Sequence, residues 1–276
     1  MNGKQMACAS VMAAFLGCGT TDEVPDEPGE VFTYVLSTID NPRPSGQTSV
    51  GFDLDGTVSE ALTAACNDQP DFVSEDGVRG IDNNFGIVGS SMEPVLLRMR
   101  LASLVEPRIA AGEFLLLMEV IDVDSTTSDA SVGVRVYLGS ATAAIALEDG
   151  RIAPGQVLPQ VGPDLVNLAP GEAAIVDGVL AFEMPRFPFP IGANADGDVL
   201  ELHDVHVRAQ IDPMALTRGE IGGALHIDEI AGYAGLSPDE LRSGVPFDLD
   251  PTAADDTICD SMSAGLSFEA VSSVPE

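Results

Sequence analysis

A mainly β fold, an antiparallel sandwich-like domain with one or two helices, follows from three observations. Apolar and β-branched residues alternate with polar ones over several separate stretches. Gly, Pro, Asp and Asn punctuate them, and no strand–helix–strand rhythm recurs. With 276 residues and 45% hydrophobic content, the chain can bury a sizeable core.

Taken in order, "VFTYVLS" (Val31–Ser37) reads as a strand broken by "NPRPSGQ", and Ser49–Leu54 as a second, short strand. Asp55–Gly89 reads as loop. Met92–Ala110 has helical spacing, with Pro94 in its first turn. Glu113–Val123 and Ala130–Ser140 flank the polar turn "DSTTSD" as a hairpin. Ala173–Met184, Asp198–Ile211 and the stretch "EIGGALHIDEIA" (Glu220–Ala231) continue the strand series. "SPDELRSG" predicts a helix start, with Ser237 as cap and Glu240 completing a capping box. The final "MSAGLSFEAVS" alternates again.

Charge narrows the partners. Acidic residues number 44 against 12 Lys plus Arg, a formal net of -32, and Lys4 is the only lysine. Such a field repels nucleic acid, which binds by charge neutralisation. No Trp and 3 Tyr leave little material for an aromatic sugar-binding platform.

The first thirty residues read as an address. Lys4 precedes a short apolar run from Met6 to Gly17, too short to span a bilayer, as in a secretory signal. "FLGCGTTDEVPDEPGE" resembles a bacterial lipoprotein signal, with Leu16 and Gly17 before Cys18; Phe15 departs from the usual Leu. That resemblance implies a signal peptide at 1–17, palmitate-type acylation of Cys18, and a membrane partner through the N-terminal lipid anchor. Residues 18–30 then form a flexible acidic tether, and 31–276 a single β-rich domain. The expected location is the bacterial cell envelope, at the outer membrane. Cys66 and Cys259 remain in the mature chain and, in an oxidising compartment, are expected to pair.

"SVGFDLDGTVSEA" (Ser49–Ala61) resembles the opening motif of haloacid-dehalogenase-like phosphatases. The resemblance implies Asp53 as nucleophile and Asp55 as acid/base in a metal-dependent enzyme on a doubly wound parallel sheet. It covers a few residues, the only lysine lies in the leader, and no late acidic pair follows an apolar strand. We read the motif as coincidental and the domain as non-catalytic.

The same residues suit a hard cation. Asp53, Asp55, Asp76, Asp82 and Asn83 lie among glycines within one stretch, offering the carboxylate and amide oxygens that Ca²⁺ takes. Solvated surface turns have the same composition, so both readings stand. His203 and His206 fall three apart in a strand and are expected on opposite faces, with His203 in register with Val205 and Val207, against a shared metal. His226, between Leu225 and Ile227, is expected to be structural.

Finally, "GFDLDG", the following Cys66, "DFVSEDGVRGIDNNFG" and "CDSMSAGLSFEA" make the chain similar to uncharacterised secreted lipoproteins of myxobacteria and related bacteria. The resemblance implies envelope location and a β-rich domain.

Overall fold

The computed structural model describes residues 29–59, 70–91, 101–141, 144–190, 199–243, 245, 247–249 and 259–274. The signal, Cys18, nearly all of the tether and Cys66 lie outside these residues, so the Cys66–Cys259 pairing stays an expectation.

The β prediction holds, and the sandwich is corrected to a barrel. Eight long strands follow one another around a closed antiparallel sheet: β1 (Glu30–Asp40), β4 (Leu115–Val123), β5 (Asp129–Gly139), β9 (Gln160–Val176), β10 (Val179–Pro190), β11 (Val199–Asp212), β12 (Ala215–His226) and β13 (Ser261–Val274). β1 pairs with β4 on one side and β13 on the other, which closes the ring. Alternating strands suit a sandwich and a barrel equally; closure is decided by pairing between the two ends of the domain. Short pieces fill the connections: β2 (Phe72–Val73) with β3 (Arg79–Ile81), β6 (Leu147–Glu148) with β7 (Arg151–Ile152), and β8 (Gln156–Val157) parallel to the end of β13.

The burial pattern shows what covers each strand. Along β11, Leu200, Leu202, Val205, Val207, Ala209 and Ile211 are buried while the residues between face outward, so one face meets the core and one meets solvent. β13 is buried almost continuously from Ser261 to Leu266, because α1 (Asn84–Ser91) and the loop before it lie across its outer side. α2 (Leu101–Ala110) covers β1, inserting Val105 and Ile109 into the core. The expected helix over 92–110 is thus found in its second half; 92–100 fall outside the described residues.

Four sequence expectations change. Ala173–Met184 is not one strand, since it spans the end of β9, a turn at Asp177–Gly178 and the start of β10. Asp55–Gly89, expected as loop, carries β2, β3 and the start of α1. Glu220–Ala231 is not one strand: β12 ends at His226, and Ile227–Ala234 forms α3. α3 buries Ile227, Ile230 and Ala231 and ends at Gly235, whose φ of 68 supplies the left-handed turn. α4 (Pro238–Arg242) has the expected capping box between Ser237 and Glu240. Ser49–Leu54 is not a ladder strand either, making only isolated bridges such as Phe52 to Asp82.

Candidate metal centres on the barrel wall

The "GFDLDG" segment crosses the outside of the barrel. Phe52 lies against the bare backbone of Gly222 on β12, where a Cβ would come within 2.5 Å of its ring. The ring is flanked by His206, 5.6 Å away, and by the Arg208 guanidinium at 5.1 Å. Arg208 is held in turn by Glu220 at 2.7 Å. This anchoring brings Asp53 and Asp55 to the surface of the wall.

Asn83 locks the approach from the other side. Its amide nitrogen donates to Ser49 Oγ (2.9 Å), the Val50 carbonyl (3.1 Å) and the Gly265 carbonyl (3.4 Å). Its Oδ1 accepts from the Gly86 and Gly265 amides, both at 3.0 Å. All of its hydrogen-bonding capacity is therefore used on backbone and one hydroxyl. Gly265 is required here, since a Cβ would stand 2.3 Å from the Val50 carbonyl oxygen.

Between these anchors the carboxylates of Asp53, Asp55 and Asp82 converge, with ligand atoms within 4.8 Å of one another. Asp53 accepts from the Gly56 amide and Asp55 from the amide and hydroxyl of Thr57, so each caps its own turn. Asp82 is 6% exposed and accepts from the Leu54 amide at 2.7 Å. Burial pushes its carboxyl up to about 8, helped by Asp55, Asp248 and Asp71, while the Leu54 bond pulls the other way. Asp71 is raised too, first by burial. Asp248, fully enclosed, is pushed up to about 6 by burial, although two bonds from Ser263 favour its charge. A carboxylate group this crowded and desolvated is held against its own repulsion.

Of the sequence-predicted ligands, three are thus brought together and two are not. Asp76 is exposed on a turn, 3.6 Å from Arg218. Asn83 is a clamp, its oxygen already taken. Asp248 was missed; it is coupled to Asp82 and Asp55 through its charge from a distant part of the chain, with no spacing to reveal it.

The histidines are also re-placed. Asp204 adopts a left-handed φ of 49, and the β11–β12 register shifts between His203 and His206. This bulge, opposite Pro185 of β10, turns both imidazoles outward while Val205 stays buried. His206 goes to Phe52 and to Glu183 at 3.3 Å. His203 goes to Glu229 on α3, with Nε2 and Oε1 2.7 Å apart. Glu201, His203 and Glu229 form a second group whose ligand atoms lie within 4.8 Å of one another.

Comparison with protein-family models, curated proteins and solved structures found no match to this chain.

Proposed function

We propose that the protein is a lipid-anchored component of a bacterial cell envelope whose barrel is a non-catalytic structural or binding module stabilised by calcium. The observation that carries the calcium part is the convergence of Asp53, Asp55 and buried Asp82. Three carboxylates without an opposing side-chain cation among their described contacts suit a hard divalent ion, which prefers oxygen donors on a tightly turning chain. The anchor rests on the "FLGC" sequence, the acidic segment behind it, and Cys18. A disulfide between Cys66 and Cys259 belongs to the same reading, because the compartment would be oxidising.

The phosphatase alternative draws no support from the architecture. Its motif implies a nucleophile at the end of a strand in a parallel sheet, whereas Asp53 lies on a loop crossing an antiparallel barrel. A melting series of the purified protein in EDTA and in added Ca²⁺ tests the main reading. A rise in midpoint with calcium that Asp53→Asn and Asp82→Asn abolish is expected. No rise, or Mg²⁺-dependent phosphatase turnover lost in Asp53→Asn, would overturn it. For the anchor, Cys18→Ser is expected to move the protein from the membrane fraction to the soluble one.

A further inference from the structure

The geometry points to a second metal site, distinct in chemistry from the aspartate group: Glu201, His203 and Glu229 hold one zinc-class transition-metal ion on the outer wall of the barrel. Glu201 and His203 stand two apart on β11, so both project from one face, beside buried Leu200 and Leu202. Glu229 arrives from the first turn of α3, which follows β12 directly and packs on both β11 and β12. Two rigid elements therefore present an imidazole and two carboxylates to a single point.

That donor set is the one borderline metals select. Imidazole suits zinc, copper, iron and nickel, whereas an all-oxygen set suits calcium and magnesium. The structure already orients the parts. Glu229 is fixed through both oxygens, one on His203 Nε2 at 2.7 Å and the other on the Glu201 amide at 3.1 Å. His226 lies with its ring 4.1 Å from that of His203, and its Nδ1 is held by Ser261 Oγ at 2.8 Å. Ser261 in turn donates to Asp260 at 2.9 Å. Ser261 and Asp260 thereby fix the ring that packs against His203. Arg186 reaches Glu201 at 3.2 Å but is 64% exposed, so it can swing into solvent.

Bonds of about 2.0–2.2 Å to zinc put neighbouring ligand atoms about 3.3–3.6 Å apart. His203 Nε2 and Glu229 Oε1, 2.7 Å apart, open to that spacing and Glu201, within 4.8 Å of both residues, closes to it by rotation of the partly exposed glutamates. Three protein ligands leave the fourth tetrahedral position to water.

The test uses the full chain, stripped with chelator, dialysed, and titrated calorimetrically with Zn²⁺ in the presence of excess Ca²⁺. One zinc per chain is expected. Affinity should fall at least tenfold in Glu229→Gln and in His203→Gln, and stay within twofold in Asp82→Asn. Because His203→Gln could unsettle the fold, the partly exposed Glu201→Gln is paired with a Co²⁺ visible spectrum. The tetrahedral band seen in the parent should weaken in that variant. No zinc uptake with calcium present, or uptake indifferent to the Glu229 and Glu201 changes, would overturn the site. Zinc uptake lost in Asp82→Asn would also overturn it, by moving the ion to the aspartates. Since calcium is saturating throughout, failure here leaves the calcium reading untouched, and the converse holds.

Discussion

The two acidic groups on the barrel wall are built in opposite ways. Asp53, Asp55 and Asp82 meet because a loop is pinned at two points, at Phe52 on Gly222 and at Asn83 on Gly265. Glu201, His203 and Glu229 meet because a strand and a short helix, both part of the packed domain, leave them side by side. The first group contains a buried carboxylate and only oxygen donors; the second is partly exposed throughout and includes an imidazole. Pinning a loop can desolvate charges but makes the group dependent on its pins. Building on a strand keeps geometry under substitution but leaves the donors open to water.

The largest break in this contrast should come from Asn83→Ala. It removes five hydrogen bonds, among them those to the buried amide and carbonyl of Gly265, while the Val50 carbonyl keeps its bond from Ser49 Oγ. At about 1–3 kcal/mol for each buried group so orphaned, a loss of about 3 kcal/mol or more is expected in a urea melt. The calcium response should vanish with it, while zinc titration at Glu201, His203 and Glu229 persists.

Next comes Asp82→Asn. With calcium at 100 times its Kd, the parent should gain about 2.7 kcal/mol of stability over the EDTA sample, and the variant none. Differential scanning calorimetry in the two buffers reads that difference.

A smaller effect is expected from pH at Asp248. Its folded-state carboxyl is pushed up to about 6, so the folded chain keeps a proton that the unfolded chain releases near pH 4. The stabilisation from this group is therefore full below about pH 4 and is lost as pH rises toward 6. Midpoints measured from pH 4 to 6.5 in EDTA should fall more steeply in the parent than in Asp248→Asn.

The smallest effect concerns Arg186→Ala. Its exposed pair with Glu201 contributes less than about 1 kcal/mol, so the melt should hardly move. Zinc affinity should rise a few-fold, since Glu201 no longer has a competing cation.

These groups also show how far the sequence could be read. Strand periods placed β1, β4, β5, β11 and β13, and the Ser237–Glu240 capping box located α4, whereas Ala173–Met184, expected as one strand, spans the turn from β9 into β10 at Asp177–Gly178. Local composition, Asp set among Gly, also carried Asp53 and Asp55, although they meet on a bent loop and not on one face of a strand. It could not carry Asp248, whose link to the group runs through Ser263 of β13 and Asn84 of α1. Nor could it place His203 correctly, because a single left-handed Asp204 reverses the alternation that period-two reasoning extrapolates. Pro185 on the neighbouring strand was the available warning, since a proline inside a central strand marks a defect in the ladder. The turn from β12 into α3 was hidden because "LHIDEIA" satisfies either period, with Asp228 and Glu229 serving as first-turn helix acids.

The pairing of β1 with β13 has a consequence for how the protein is made. The opening strand borders the closing one, so a ribosome must finish nearly the whole domain before the ring can shut. Until the last 14-residue strand emerges, β1 and β12 each present an unpaired edge. Such long-range closure makes for slow folding. Slowness of that kind would suit a polypeptide threaded through an export channel, which needs its cargo still unfolded.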